Sequence, residues 1–223
     1  MKMKNIAAVA MAGCMAASLA ACGGSASSAA TDASSAASTE AATSEATEAT
    51  GTSANGFTVQ LGSNPETLDP ALNSAIDGAN TLITVFEPLL LIDENNEVIP
   101  GQADLPEVSE DGLTWTFTMK DGLKWSDGSD LTAKDFEYSF KRLACPDTAA
   151  PYAETVVGMI DGYQDAIGNP DADGNTTTDP DGDALNVHAS EDGKTLTIQL
   201  AYPCSYFDKL CAFAAMSPVQ QAT

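Results

Sequence analysis

Hydrophobic and polar residues alternate along three stretches of the chain, at 57–61, 113–119 and 195–200. A period of two residues is typical of a β-strand with one buried face, so each stretch predicts a half-buried strand. The pair Asp111-Gly112 stands directly before the second stretch, Asp192-Gly193 stands one residue before the third, and both pairs predict turns. We therefore expect short strands that are entered through tight turns.

A longer period marks a helix that begins after residue 131. Phe136, Phe140 and Leu143 recur at i, i+4 and i+7, which predicts a helix that buries one face. Thr132 and Asp135 stand at its start and resemble a capping box, with Asp in the place of the usual Glu. The sequence therefore predicts where this helix begins as well as which side of it faces the core.

Two further helices are predicted, one on each side of these elements. Residues 73–90 predict a helix that Pro88 ends or disturbs, because proline lacks the backbone N–H that a helix interior needs. A last helix is predicted after Pro203, with an apolar face formed by Phe207, Leu210 and Phe213. Because strands and helices interleave along the chain, its class is predicted to be α/β or α+β.

The first residues have the pattern of a bacterial export signal. Lys2 and Lys4 precede an uncharged run over residues 6–20, which is shorter than the roughly 20 residues of a membrane span. The run ends in Leu19-Ala20-Ala21-Cys22-Gly23, which matches the lipobox of lipoproteins. We therefore expect cleavage after residue 21, lipid attachment at Cys22, and anchoring on the outer face of the cytoplasmic membrane.

The residues that follow predict a flexible tether and a strongly acidic protein. Residues 23–55 consist mainly of Ser, Ala, Thr, Glu and Gly and contain no aromatic residue, so they cannot bury enough apolar surface to fold. Loss of Lys2 and Lys4 with the signal leaves 7 basic against 32 acidic residues, a formal charge of −25. Such a surface repels phosphate backbones and anionic head groups, so we expect no nucleic-acid partner and no attachment to the membrane besides the lipid.

The cysteines do not form the pattern of a disulfide scaffold. Without Cys14 and the lipidated Cys22, three remain, which are Cys145, Cys204 and Cys211. An odd number permits one disulfide with one free thiol, or three reduced thiols, and both alternatives stay open. No Cys-x-x-Cys pair is present to favour a zinc site or a redox motif.

Several segments, taken in order, resemble one known family. They are Pro65-Glu66-Thr67-Leu68-Asp69-Pro70, Phe86-Glu87-Pro88-Leu89, Asp111 to Phe117, Lys124-Trp125-Ser126-Asp127-Gly128 with Leu131 to Arg142, and Pro203-Cys204-Ser205-Tyr206-Phe207. Together they are similar to the family 5 extracellular solute-binding proteins, which serve bacterial importers of peptides, nickel and related solutes. The resemblance covers about residues 57–219.

This resemblance implies a fold, a role and partners. The fold would be an incomplete α/β fold like that of type II periplasmic-binding proteins, whose two lobes close on a ligand. The role would be that of a substrate-binding lipoprotein of an ABC importer, a monomer that captures oligopeptides and delivers them to a membrane permease. No enzymatic activity, cofactor or metal site is expected.

The resemblance also implies a division of the chain, since family members are more than twice as long. The expected parts are the signal peptide at 1–21, the lipidated cysteine and tether at 22–55, the start of the ligand-binding lobe at 56–86, a small inserted domain at 87–218 and a truncated end at 219–223. Such a chain would carry one wall of a cleft, and we expect no useful affinity for peptides from that wall alone.

Three residues are the candidates for ligand contact. The run from Pro146 to Ala153 resembles a run of oligopeptide receptors in which the tyrosine faces the cleft, which implies that role for Tyr152. Ser74 and Asp77 follow the Leu-Asp-Pro motif, where an acid in such receptors can pair with a ligand cation. The alternatives are that Tyr152 caps a turn and packs on Pro151, and that Asp77 is solvated or caps its helix.

Three other functions remain as alternatives. An enzyme would have to use His188, the only histidine, and no nucleophile elbow or phosphate-binding loop accompanies it. A calcium-dependent adhesin could use the acidic residues between Asp171 and Asp183, although neither possible register has the Gly and Glu of an EF-hand. A receptor for nickel or another solute is the alternative within the same family.

Overall fold

The computed structural model describes residues 60, 62–169 and 180–221. They belong to a compact unit that spans Phe57–Thr223. Cys22, the tether and most of the acidic loop lie outside the described residues. So does the strand predicted at 57–61, apart from Gln60, which is in no regular element.

The described chain contains short helices and short strands. The helices are α1 (Ile76–Val85), α2 (Ala133–Ala144), α3 (Ala153–Val157), α4 (Tyr163–Ala166) and α5 (Phe207–Leu210). The strands are β1 (Leu90–Ile92), β2 (Val98–Pro100), β3 (Glu107–Val108), β4 (Thr114–Thr118), β5 (Val187–Ala189) and β6 (Thr195–Gln199). Within this part of the chain, no helix has the length and the apolar character to cross a bilayer.

All the described strand pairs are antiparallel. A four-stranded sheet has the order β3-β4-β6-β5, and β1 pairs with β2 in a separate hairpin. The two long strands predicted from alternation are confirmed as β4 and β6, and they form the centre of the sheet, with Trp115 opposite Ile198 and Phe117 opposite Leu196. The strands that alternate most regularly are therefore the ones that have neighbours on both edges.

The core lies between this sheet and α2. Trp115 and Phe117 of β4 are buried, and α2 packs against β5 and β6. Its predicted apolar face is confirmed, because Phe136, Phe140 and Leu143 are all buried. Full burial of each such side chain contributes about 1.5–3 kcal/mol, which makes this layer the main source of the unit's stability.

The predicted capping box at the start of α2 is also confirmed. The Thr132 hydroxyl accepts a hydrogen bond from the Lys134 N–H at 3.3 Å, and the Asp135 carboxylate accepts one from the Thr132 N–H at 2.8 Å. These bonds satisfy backbone donors that have no partner inside the helix. The helix ends at Ala144, and the backbone becomes extended at Cys145, ahead of Pro146.

The helix predicted over 73–90 is wrong in its extent. Helix α1 ends at Val85, Phe86 is already extended, and Leu90 begins β1 opposite Pro100. The physical reason is that the residue before a proline is restricted to extended conformations, so Pro88 ends the helix earlier than periodicity indicates.

The last predicted helix is also too long. Helix α5 has one turn, from Phe207 to Leu210, and Phe213 lies beyond it, 41% exposed. The Cys211 carbonyl accepts a hydrogen bond from the Leu90 N–H at 3.3 Å, so at this point the backbone bonds to β1 instead of continuing the helix.

The three described cysteines, Cys145, Cys204 and Cys211, are free thiols in this structure. Cys211 is fully buried, and this burial raises the pKa of its thiol well above the ordinary value. A thiol that stays protonated is a poor nucleophile, so Cys211 is inert and acts as a small apolar core residue.

The capping box gives a stability prediction. Thr132→Ala should lower the free energy of unfolding by about 1 kcal/mol, because a backbone donor of α2 loses its acceptor. Thr132→Ser should retain most of this stability, since its hydroxyl can accept the same bond. Thr155→Ala, an exposed change within α3, is the matched control and should stay within about 0.5 kcal/mol of the parent. Urea denaturation would contradict the assignment if the Ser and Ala variants at 132 lost equal stability.

Candidate functional site

A half-buried ion pair holds the start of the described chain against α2. Arg142 donates two hydrogen bonds to the Asp69 carboxylate, at 2.9 Å and 2.5 Å, one to each oxygen. Both side chains are about one quarter exposed, at 24% and 27%. These hydrogen bonds lower the pKa of Asp69 from its usual range and raise that of Arg142. Because two hydrogen bonds join the side chains, they fix the orientation of Arg142 relative to Asp69 as well as the distance between them.

The ion pair positions the residues that lead into α1. Asp69 also makes a contact within its own loop, because its Oδ1 accepts a hydrogen bond from the Ala71 N–H at 3.0 Å. The buried Asn73 then donates from its side chain to the Ala75 carbonyl at 3.1 Å. A side chain at Gly78 would meet the Asn73 amide, with only 1.9 Å from an added Cβ to its oxygen. Glycine is therefore needed at this position by close packing inside the helix, and the Asp-Gly pair is not a turn.

Ser74 and Asp77 lie at the surface, next to the start of α1. Ser74 is exposed two residues before the helix, and Asp77 is half-buried in its first turn. The Asp77 carboxylate accepts hydrogen bonds from the Ser63 hydroxyl and, at 3.0 Å, from the Gly78 N–H. The Ser63 bond, followed by the Gly78 bond, holds the pKa of Asp77 below its ordinary value. Asp77 therefore remains a carboxylate at any pH near neutrality and could face a cation.

Tyr152 lies at the start of α3, and its ring packs on an aromatic residue from a distant segment. Its ring meets Phe213 edge to face, with centroids 5.4 Å apart and an angle of 86° between the planes. Tyr152 is half-buried and occupies the N-cap position, but its side chain makes no capping bond. Its hydroxyl has no hydrogen-bond partner among the described residues, so the polar end of the ring is available to another molecule.

The structure connects Tyr152 with α1 through one turn. Phe213, which contacts Tyr152, leads directly into the 3₁₀ turn Ala214–Met216, and this turn packs against α1. Neither Ser74 nor Asp77 shares a hydrogen bond or ring contact with Tyr152 within the described part of the chain. The three candidates therefore belong to neighbouring elements, and a ligand would have to bridge them.

The turn at Lys124–Gly128 fastens the last described residues to the rest of the unit. Asp127 accepts hydrogen bonds from the N–H and the hydroxyl of Ser129, at 2.8 Å and 2.6 Å, which closes the turn. The Gln220 amide then donates to Asp127 at 3.2 Å and to Ser129 at 3.1 Å. Val219 adds a bond from its N–H to the hydroxyl of Ser139 in α2, at 2.8 Å.

These features can be compared with known proteins. Residues 97–222 match the family described as bacterial extracellular solute-binding proteins, family 5 Middle. This chain belongs to the family 5 solute-binding proteins. The predicted family is thereby confirmed, as is the type II periplasmic-binding-protein-like fold, for which solved structures supply matches.

Named relatives of this family 5 protein bind peptides. It is 38% identical over 159 residues to the periplasmic murein peptide-binding protein MppA of Escherichia coli (strain K12), which covers 71% of the chain and 28% of the relative. It is 37% identical over 162 residues to the oligopeptide-binding protein OppA of Salmonella typhimurium, with 72% and 28% covered. The solved complex of Haemophilus influenzae OppA with the peptide RPPGFSPFR matches with a TM-score of 0.63 at 28% identity, over 72% of this chain and 29% of that one.

These comparisons cover only part of each relative. The chain spans less than a third of the length of these curated relatives. Its similarity to substrate-binding transport proteins fits a protein that is not an enzyme.

The residues of the alternative functions take up ordinary structural positions where they are described. His188 is exposed on β5, an edge strand. The nearby Glu137 is already occupied, since it binds Lys141 at 2.8 Å and accepts the Ala189 N–H at 2.9 Å. No group of three potential metal ligands occurs among the described residues. Most of the acidic loop, including Asp171, lies outside them.

Two site-forming residues had no signal in the sequence. Arg142 stands 73 residues after Asp69, and both could be read only as parts of separate motifs. Phe213 was assigned to the face of a helix, whereas it supports the ring of Tyr152 from a loop. The position of Phe213 shortly after the Pro203–Phe207 motif does not indicate a contact with Tyr152.

The ion pair gives a prediction with a pH dependence. A double-mutant cycle of Asp69→Asn and Arg142→Met should show a coupling free energy of about 1–2 kcal/mol, between the values of exposed and buried pairs. The folded pKa of Asp69 is lowered, so its contribution is present above the unfolded value of about 4 and is lost as the pH falls through the folded value. The stability difference between the parent and Arg142→Met should therefore shrink on acidification below about pH 4.

The matched control for this cycle is the exposed pair Asp121 and Lys194, 3.4 Å apart. Its coupling should stay below about 1 kcal/mol, because solvent screens it. Equal coupling in the two pairs, measured by urea unfolding at the same ionic strength, would show that Asp69 and Arg142 have no special role.

Proposed function

We propose that this chain is part of the substrate-binding lipoprotein of an ABC importer, which captures oligopeptides and delivers them to a membrane permease. The observation that carries the proposal is the identity of 37–38% to a murein peptide-binding and an oligopeptide-binding protein, over most of the described chain. The unpartnered hydroxyl of Tyr152 and the ionised carboxylate of Asp77 support it, because each offers a group that a peptide can use.

The peptide would be held mainly through its backbone. An extended peptide presents N–H and C=O groups at regular spacing, and recognition of these groups tolerates many side-chain sequences. The Tyr152 phenol can donate to a peptide carbonyl while its ring packs on an apolar side chain. Asp77 would attract a ligand cation such as a terminal ammonium, and the exposed Ser74 hydroxyl would contact the same end of the ligand.

The cleft would be formed by lobes that close around the ligand. In this proposal residues 56–86 begin the ligand-binding lobe and residues 87–218 form the small inserted domain. The ion pair between Asp69 and Arg142 then joins the two parts, since each contributes one partner. Because the chain spans less than a third of its relatives, the opposing wall would come from a longer receptor, and closure would be a hinge motion.

Cys22 would hold this receptor at the membrane through its lipid. Cys22→Ala in the full gene product should abolish lipidation, because the thiol that takes the lipid is gone, and the intact mass should show an unlipidated protein that keeps residues 1–21. Cys145→Ala is the control and should give the lipidated and cleaved mass of the parent. A parent protein whose intact mass carried no lipid, or a Cys22→Ala protein that was still lipidated, would contradict the anchor.

Peptide capture is tested with the full-length receptor that contains this chain and a defined pool of short synthetic peptides. Tyr152→Phe should weaken binding by about 2- to 10-fold, since one hydrogen bond contributes about 0.5–1.5 kcal/mol. Tyr152→Ala should weaken it by more than 10-fold, because ring packing is lost as well. Tyr202→Phe, at a tyrosine that is 55% exposed, is the matched control and should bind as the parent does.

Isothermal titration calorimetry separates two ways in which this can fail. If the parent receptor binds no peptide, the proposed function is wrong. If it binds and Tyr152→Ala binds equally well, the function stands and the assignment of Tyr152 to the site is wrong.

A further inference from the structure

Two hairpins of the four-stranded sheet repeat one sequence and one turn. The segments that begin at Ser109 and Ser190 both read Ser-Glu-Asp-Gly-x-Thr-x-Thr. In each, the serine hydroxyl accepts a hydrogen bond from a threonine N–H, at 2.8 Å for Thr114 and 2.9 Å for Thr195. The serine N–H donates to the carbonyl of the same threonine, at 3.0 Å and 2.8 Å. The turns β3-β4 and β5-β6 therefore have the same hydrogen-bonded structure.

The two hairpins are related by an approximate twofold axis perpendicular to the sheet. Strands β4 and β6 pair antiparallel, and Thr116 lies opposite Thr197 at the middle of their register. The strand order β3-β4-β6-β5 is unchanged by this rotation, which exchanges β3 with β5. Val108 of β3 and Ala189 of β5 occupy equivalent positions, since each directly precedes the serine of its turn.

At these two positions the backbone N–H points away from the sheet. In an antiparallel pair, residues that bond to the neighbouring strand alternate with residues whose N–H and C=O face outward. Ser109 and Ser190 bond to their neighbouring strands, so Val108 and Ala189, one residue earlier, face outward. The Ala189 N–H does donate outward, to the Glu137 carboxylate of α2 at 2.9 Å. The Val108 N–H has no acceptor among the described residues.

The contacts of Ala189 show what such an outward N–H binds. Glu137 places one carboxylate oxygen on the Ala189 N–H and the other 2.8 Å from the Lys141 ammonium. Lys141 also contacts a second acid, Asp183, at 3.1 Å. One carboxylate is therefore shared by a strand N–H and a lysine here, and a further acid beside the lysine does not prevent this arrangement.

A groove of about 360 Å³ lies at the equivalent position on β3. Its physical reason is a difference in helix length, since α2 has 12 residues and packs on β5 and β6, whereas α5 has 4. Helix α5 covers Trp115 of β4 through Phe207, with ring centroids 5.3 Å apart, but leaves Val108 44% exposed. Val108 and Trp115 form an apolar wall of the groove together with Val98 and Leu105.

Lys209 of α5 supplies a cation at this groove. Its side chain is exposed and makes no ion pair or hydrogen bond within the part of the chain that the structure describes. Two acids, Asp208 and Glu97, also line the groove, and Asp208 accepts the backbone N–H of Lys209 at 2.7 Å. Because Asp183 stands beside Lys141 in the other half of the sheet, such acids are compatible with a carboxylate bound to the lysine.

The edge of β3 is unsuited to the addition of a whole strand. The strand has only two residues, and Pro106, directly before it, has no N–H to donate. Val108 therefore offers a single outward donor, to which one acceptor group can bind. The volume of the groove lies within the range of ligand sites in proteins, so its apolar wall can cover an apolar group joined to that acceptor.

We propose that the groove at β3 binds a carboxylate joined to an apolar group. One carboxylate oxygen accepts the Val108 N–H, the other pairs with the Lys209 ammonium, and the apolar group packs on the apolar wall. A free aliphatic acid and the C-terminal residue of an apolar peptide have this chemistry in common. The site is separate from Tyr152, Ser74 and Asp77, none of which lines the groove.

The test uses the full-length gene product that contains this chain, labelled with ¹⁵N-valine, and sodium hexanoate as the probe. The Val108 amide resonance, assigned from the spectrum of Val108→Ile, should shift saturably, with a dissociation constant of about 1 mM for a ligand of this size. The Val187 resonance should not shift, because the Val187 N–H already donates to the Leu185 carbonyl at 2.7 Å. Hexanamide lacks the charge and acetate lacks the apolar tail, so each should bind about 10-fold more weakly or less.

Substitution of the lysine tests the second contact. Lys209→Met should weaken hexanoate binding by about 10-fold, since one charge-assisted hydrogen bond is lost, and Lys209→Arg should retain most of it. Lys194→Met, at an exposed lysine of the equivalent turn, is the matched control and should bind as the parent does. Tyr152→Ala should also leave the Val108 response unchanged, so a failure of the proposed peptide capture would not affect this test.

Either of two results would overturn the proposal. The first is a Val108 resonance that does not shift saturably with hexanoate or with acetyl-leucyl-leucine, each added up to about 10 mM. The second is an equal response to hexanoate and hexanamide, or an equal response to hexanoate in the parent and in Lys209→Met. Saturation by hexanoate alone would support the site and identify a free acid as its ligand, whereas saturation by the dipeptide alone would support it with a peptide C-terminus.

Discussion

The bidentate ion pair between Asp69 and Arg142 is the constraint on which the arrangement of the candidate site depends. It joins residues 73 positions apart and fixes the loop before α1 against the helix that covers the sheet. Without it, the short hydrogen bonds around Ala71 and Asn73 would hold a local shape but not its position on the unit. The direction in which Ser74 and Asp77 face is therefore set by Arg142, which touches neither of them.

Helix α2 serves as the common base for these contacts. Its apolar face covers the sheet through Phe136 and Phe140, Ser139 binds the last described segment, and Arg142 binds the first. A single helix thus presents an apolar face to the core and polar contacts to both ends of the described chain. Because its start is fixed by a capping box, a shift of the helix along its axis would break all of these contacts together.

The sequence predicted those parts of the structure that local patterns determine. Strands β4 and β6 and the start of α2 follow from alternation, helical spacing and capping chemistry. The extent of α1 could not be predicted, since the restriction imposed by Pro88 competes with a continuing apolar pattern. The end of α5 depends on a hydrogen bond from Leu90, a residue more than a hundred positions away. Within the candidate site, Tyr152 and Asp77 could be named by resemblance, but their partners Phe213 and Ser63 belong to distant segments.

The contacts that Tyr152 and Asp77 already make have a consequence for affinity in the proposed function. The ring of Tyr152 is already held by Phe213, and the Asp77 carboxylate is already held by Ser63 and the Gly78 N–H. Ordering a free side chain on binding costs about 0.5–1.5 kcal/mol, and these two groups avoid most of that cost. A backbone-directed site gains little from any one side chain of its ligand, so a low ordering cost matters more than in a site that selects one sequence. The contacts that α2 and its ion pair supply are therefore consistent with the proposed recognition of peptides through their backbone.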